Sequence, residues 1–280
     1  LASKPEPLSA RGALLLDADD DRHDEAVEVL LHAVAAGEPS APALLARAYL
    51  DRGHRRAAIR LLEPRVRAGR ADLALPLAEA LTGAGELERA EAAYLVAVGT
   101  GDPEAMTALG MFLREQGRLW EAERMLRRAA EAGSDAAPAQ LVAVQWRLGE
   151  PRLAEATARR WTDPARPSTL HALAFVLAAS GRDDEAERLY RTAAELGALR
   201  GHIEYARFLL NVRDDAEAAE AQLLAAERTQ EPGWALAFGL FLADAGRPDE
   251  ARAYLRHAAH WGSAAALDAL EELDGDPTDD

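Results

Sequence analysis

Large apolar side chains recur at one fixed place along this chain: Leu45, Leu77, Leu109, Leu141, Leu173, Tyr205 and Phe238. The next residue is small at Ala46, Ala78, Gly110, Ala174, Ala206 and Gly239, with Val142 the exception. Between these pairs run the glycines. Gly37, Gly53, Gly69, Gly85, Gly101, Gly117, Gly133 and Gly149 follow one another every 16 residues, Ala165 interrupts, and Gly181 and Gly197 resume. Arg213 takes the next slot, and Gly246 and Gly262 come one residue late. Glycine enters the left-handed conformation that ends helices, so the pattern predicts helix, stop, helix, stop. Each interval holds about 12 helical residues, or roughly 18 Å of helix. Connections this short force neighbours antiparallel, and two intervals make one hairpin. Strand formers nowhere gather into alternating runs bounded by turns, so the chain reads as all-α.

A second series fixes the hairpin register. Ala58, Ala90, Ala122, Ala154, Ala186 and Ala251 stand five residues after alternate turn glycines. Asp21 and Arg213 occupy the same turn slot in two further copies, followed at the same distance by Ala26 and Ala218. Eight alanines in eight copies predict a point where two helix backbones nearly touch. A large residue beside a small one on the first helix lets stacked hairpins interlock.

This arrangement resembles the tetratricopeptide repeat, most closely in Gly117-Arg-Leu-Trp-Glu-Ala122 and Gly181-Arg-Asp-Asp-Glu-Ala186. Helix ends such as Ala129-Ala130-Glu-Ala-Gly133 and Ala193-Ala194-Glu-Leu-Gly197 are similar to the related Sel1-like repeat. The resemblance implies an α-α superhelix, here of eight 32-residue repeats closed by a helix carrying Leu267, Leu270 and Leu273. A packed domain over residues 7–273 follows, with a loose segment at 1–6 and an acidic, unpacked tail at 274–280. Two irregularities are expected. Pro64 inside a second helix should kink or shorten it, and the extra residue late in the chain is expected near Glu231-Pro232-Gly233.

Composition narrows function more than fold. A net charge of −16 opposes general nucleic-acid binding and attraction to anionic membranes. No apolar run approaches the ~20 residues of a membrane span. Lys4 is the only lysine, which removes Schiff-base and phosphate-loop chemistry, and with no cysteine there is no thiol nucleophile or zinc–thiolate site. Absence of cysteine fits a reducing compartment, and a cytoplasmic protein is expected. The spacing of Asp17, Asp19, Asp21 and Glu28 matches acids of a calcium loop, but Arg22 stands where the sharp turn needs glycine. His257 and His260 lie three apart near Trp261 and lack a third ligand. No serine elbow or phosphate loop is present. Neither enzyme chemistry, metal nor cofactor is therefore expected.

The resemblance implies that first helices line a concave groove where partners lie. Residues ten, six, three and two before each turn should face it. This places Arg47, Thr107, Met111, Arg114, Trp146, Arg147, His171, Phe175, Ile203, Arg207, Leu210 and Asn211 there. The expected contact set is Arg47, Met111, Arg114, Trp146, Arg147, His171, Phe175, Arg207 and Asn211. Aromatics and arginines dominate binding energy at interfaces, so the partner should be a protein or peptide, apolar with acidic character. Trp146 and Phe175 could instead pack against neighbouring helices. The carboxylate clamp of chaperone-binding relatives requires Lys and Asn where this chain has Ala43/Arg47, Leu75/Glu79 and Thr107/Met111. A chaperone C-terminus is therefore not the expected ligand. Two further readings stand beside the scaffold: the sensor half of a larger regulator, and self-assembly through an acidic segment of a second copy. The arginine-for-lysine, alanine-rich usage points to a bacterial source.

Overall fold

A left-handed residue ends almost every helix of this chain, as the glycine series requires. The computed structural model describes residues 7–17 and 22–275. Among them are seventeen α-helices and no strand. The chain divides into two units that meet at Ala137 and Pro138. The first unit pairs α1 (Leu8–Leu16) with α2 (His23–Ala35), α3 (Ala41–Asp51) with α4 (Arg55–Arg67), α5 (Ala74–Gly83) with α6 (Leu87–Val98), and α7 (Pro103–Glu115) with α8 (Leu119–Glu131). The second opens with α9 (Ala137–Arg147) and α10 (Pro151–Trp161), then pairs α11 (Pro167–Ala179) with α12 (Asp183–Glu195), α13 (Gly201–Phe208) with α14 (Ala216–Thr229), and α15 (Trp234–Asp244) with α16 (Pro248–His260). A last helix, α17 (Ala264–Gly275), covers α16. None of these helices is long and apolar enough to cross a membrane.

The turns work as the spacing predicts. Gly117 has φ 73°, and a Cβ there would meet nothing, so backbone conformation alone selects glycine. Four helices open on proline in the first turn, where its missing N–H is not needed: Pro103, Pro151, Pro167 and Pro248. The alanine series is fully buried at Ala26, Ala58, Ala90, Ala122, Ala154, Ala186 and Ala251. Nine residues after the turn a second buried row runs through Leu30, Leu62, Tyr94, Leu126, Ala158, Tyr190 and Leu255. These side chains fill the holes left by the small residues of the first helices. A Cβ added to Gly110 would lie 2.6 Å from the Leu126 Cγ, and one on Gly239 would lie 2.8 Å from the Leu255 Cγ.

The seventh hairpin corrects the expected register. After Phe208 the helix continues as a π-turn, Leu209–Arg213, which takes in one extra residue without ending the helix. The left-handed turn therefore falls on Asp214 (φ 54°), not Arg213, and the next on Gln230 (φ 53°), 16 residues before Gly246. Packing confirms the shift. Ala219 is fully buried where Ala218 was expected, and Leu223 takes the second buried row. The inserted residue thus sits in α13's extension and not at Glu231-Pro232-Gly233.

Three other irregularities resolve locally. Helix α4 runs through Pro64 to Arg67 without shortening; both Pro64 and Arg60, whose carbonyl loses its helical donor, are exposed, so water can serve that carbonyl. Around Ala165 an aspartate replaces the missing glycine: Asp163 Oδ1 accepts from the Ala165 amide at 2.9 Å and Oδ2 from Arg166 Nε at 3.1 Å. Helix α17 extends beyond Leu273 to Gly275, and Asp274 accepts from Arg252 Nε at 3.1 Å, so the packed chain passes the expected boundary. Residues 1–6, 18–21 and 276–280 lie outside the described residues.

An arginine after the turn ties alternate hairpins together. Arg118 spans Glu91 of the preceding hairpin and Glu121 of its own, each at 2.7 Å. Arg182 does the same with Glu155 (2.8 Å) and Glu185 (2.6 Å), and Arg247 with Glu220 and Glu250, both at 2.7 Å. Hydrogen bonds from these arginines hold the Glu121, Glu185 and Glu250 carboxyls below the usual glutamate value. A carboxyl whose folded pKa is depressed stabilises the fold above its unfolded pKa and loses that contribution as pH falls through the folded one. Thermal melts are accordingly expected to hold level from pH 7 down to about 5 and then fall as pH drops below the usual glutamate value of 4.5. The Arg118→Gln, Arg182→Gln, Arg247→Gln triple variant should show a shallower acid slope. An unchanged slope would remove the latches from the account.

Candidate partner-binding groove

Of the nine expected contact residues, Arg47, Met111 and Arg114 belong to the first unit. Arg47 is exposed and already donates to Asp17 at 2.8 Å. Met111 and Arg114 are half-buried on α7. Thr107, expected beside them, is buried and does not face a groove: its hydroxyl lies 2.9 Å from the Pro103 carbonyl and 2.8 Å from Ser134 Oγ. The hydroxyl is drawn inward because it bonds back to the carbonyl four residues earlier and reaches Ser134 Oγ, which in turn accepts from the Ala137 amide at the start of α9.

The other six lie in the second unit. Trp146 on α9 and Phe175 on α11 are half-buried and meet edge to face, with centroids 5.4 Å apart. Each also packs on the unit's core. The pair bridges consecutive first helices and keeps part of its surface open. His171 is half-buried beside Tyr190, with ring centroids 5.6 Å apart. Burial holds its imidazole below the usual histidine value; Glu204 pulls the other way, and Arg207 and Arg200 reinforce the depression. The ring is therefore neutral at neutral pH. Arg147, Arg207 and Asn211 are exposed, and Arg207 is ion-paired to Glu204.

Beside these residues, a trough of about 350 Å³ opens between α13 and α15. Its floor is Ile203, Leu210, Leu236, Leu240 and Phe241, and its polar rim includes Arg200, Arg207, Asn211 and Asp244. Leu236, Leu240 and Asp244 stand ten, six and two residues before Gly246, which is the groove register of the eighth hairpin. Sequence reasoning stopped at the seventh hairpin and missed them, although the same spacing points to them. Arg200 was missed for a different reason: it lies before the helix. Its backbone is left-handed (φ 59°) three residues after the series glycine Gly197, a conformation costing a non-glycine residue about 1–2 kcal/mol. The three non-glycine residues of this kind among the described ones, Arg200, Asp214 and Gln230, all fall in the seventh hairpin.

Of the calcium-loop acids, Asp17 is ion-paired to Arg47 at 2.8 Å, Glu28 lies on α2, and Asp19–Asp21 lie outside the described residues. His257 contacts Trp234 (5.3 Å) and His260 contacts Trp261 (5.7 Å) by ring packing. These aromatics border a second hollow of about 490 Å³ at the hairpin ends. Its buried carboxylate, Glu231, is committed to the amides of His202 and Ile203 at 3.0 and 3.2 Å.

A stack of helical hairpins is the architecture of tetratricopeptide-type helical repeats. Two stretches, residues 104–132 and 168–197, match the family model TPR_10, tetratricopeptide repeat. No curated protein sequence matches the chain. Among solved structures, the chain is similar to Pseudomonas aeruginosa pilF, at 22% identity over 79% of this chain and 99% of that one, with a TM-score of 0.52. A tetratricopeptide repeat protein from Parabacteroides merdae matches at 14% identity over 81% of this chain and 94% of that one, with a TM-score of 0.58. Yeast Tom70 matches at 13% identity over 91% of this chain and 59% of that one, with a TM-score of 0.67. At these identities the fold is what is shared.

Proposed function

We propose that this chain is a non-enzymatic cytoplasmic scaffold that holds an apolar, acidic peptide segment of a partner protein along the first helices of its second unit. The observation that carries the reading is the trough between α13 and α15, apolar in its floor and lined by residues in the groove register. Trp146 and Phe175 would continue the apolar path, and Arg147, Arg207 and Asn211 would supply donors to carboxylates and backbone carbonyls. Arg47, Met111 and Arg114 would offer the equivalent positions of the first unit. The Ala-Ala-Glu-x-Gly helix ends favour a Sel1-like variety of the repeat.

The experiment is selection of random 12-residue peptides displayed on phage against the full chain, followed by anisotropy titrations of the enriched peptides. Trp146→Ala and Arg207→Glu are each expected to weaken binding about tenfold, as truncated interface anchors do. Enriched peptides that bind both variants as tightly as the parent chain would move the site off this face.

A further inference from the structure

The trough between α13 and α15 is polar at both ends, and the two ends differ in sign. The following rests on the reading of that face as a binding groove. At the amino-terminal ends of the two helices stands Arg200, which lines the trough close to Gly233: a Cβ on that glycine would lie 3.7 Å from its guanidinium. Its nearest acid, Glu204, is 3.9 Å away, beyond hydrogen-bond reach. At the carboxy-terminal ends stand Asn211 and Asp244, both exposed. Helix dipoles reinforce the same polarity, positive at the Arg200 end and negative at the Asp244 end. Between them the floor is apolar, Leu240 is 41% exposed, and Arg207 on the rim is ion-paired to Glu204.

We propose that this trough is an orienting site for an extended segment that places an acidic residue on Arg200, a large apolar side chain on Leu240 and Phe241, and a cationic or amide residue on Asp244 and Asn211. From Arg200 to Asn211 the helix rises about 16 Å at 1.5 Å per residue. An extended chain covers that distance in about five residues at 3.3 Å each. Burial of alternate side chains in the floor suits a strand-like ligand. The acid and the donor of the bound segment are therefore separated by about five positions.

Two features of the seventh hairpin support the assignment independently of charge. Arg200 holds a left-handed backbone that places its side chain at the trough's mouth, and the π-turn Leu209–Arg213 sits at the opposite end. Strained backbone and π-turns both concentrate where a ligand is gripped.

The test uses the enriched 12-residue peptides from the selection above, titrated against the full chain and against Arg200→Glu, Asp244→Arg and the double variant. The peptides should carry Asp or Glu about five positions from Lys, Arg, Asn or Gln, with Leu, Phe or Trp between. Arg200→Glu should weaken them about tenfold or more, because like charges across an interface repel, and replacing the peptide's acid with lysine should restore binding. The double variant should prefer the peptide with both charges exchanged. Both positions are exposed, and circular dichroism at 222 nm checks that the variants remain helical. Peptides weakened by Trp146→Ala but bound within twofold by Arg200→Glu and Asp244→Arg would keep the groove and overturn this assignment. Indifference to every substitution, or failure to enrich any peptide, would overturn both.

Discussion

Leu126→Ala is expected to lower the stability of the first unit by about 2–5 kcal/mol, the range for emptying a leucine-sized core site. Leu126 is fully buried and packs where α7 and α8 approach most closely. The glycine opposite it, Gly110, leaves the hole that the side chain fills, so nothing adjacent can close over the gap. The converse holds too. Gly110→Ala alone should also destabilise, because its Cβ would meet Leu126 Cγ at 2.6 Å and Leu126 Cδ2 at 2.8 Å. Combined with Leu126→Ala, that methyl group enters space already vacated, so the double variant should lose less than the sum of the singles. Urea unfolding read on the first unit's transition checks both expectations. Strict additivity would mean that the two residues do not share one packing site.

Glu231→Ala is expected to cost about 1.5–3 kcal/mol, the range for charge-assisted hydrogen bonds whose loss strands buried donors. The carboxylate is only 8% exposed, and its two oxygens accept from the first amides of α13, His202 and Ile203. These amides have no partner within the helix, and the negative charge also meets the positive end of the helix dipole. Glu231→Gln keeps one acceptor and most of the shape, so it should recover about half the loss. Glu38 occupies the equivalent place under α1, accepting from the Leu8 and Ser9 amides at 3.0 and 2.7 Å. Its site is more open, and Glu38→Ala should cost less. A Glu231→Ala chain as stable as the parent would show that solvent reaches the start of α13.

Both residues show what pattern alone can and cannot convey. The hairpins were legible because glycine spacing and buried alanines report backbone geometry, which each residue type enforces locally. Leu126 belongs to a row that a sequence reader can find, nine residues after the turn. The seventh hairpin was misread because an extra residue inside a helix leaves no local mark. Arg213 occupies the nominal turn slot, and only the burial of Ala219 and Leu223 reveals that the turn moved to Asp214. Thr107 and Glu231 were opaque for a related reason. Glu231 caps the start of α13 and Thr107 bonds Ser134 Oγ 27 residues on, and such partnerships depend on tertiary placement. Groove positions were readable as a register, while Arg200 lay outside it because its role rests on a left-handed backbone that its residue type does not announce. Arg118 and Arg182 stand in the tetratricopeptide-like turn motifs and Arg247 follows Gly246 in the same way, yet their glutamate partners lie 27 residues earlier. That distance becomes proximity only once hairpins stack.

The proposal that first helices of the second unit receive the partner is tested most directly by amide hydrogen exchange of the full chain with and without a saturating selected peptide. Slower exchange confined to α9, α11, α13 and α15, greatest at α13 and α15, is the predicted result. Protection of α12, α14 and α16 with the first helices unchanged would contradict it.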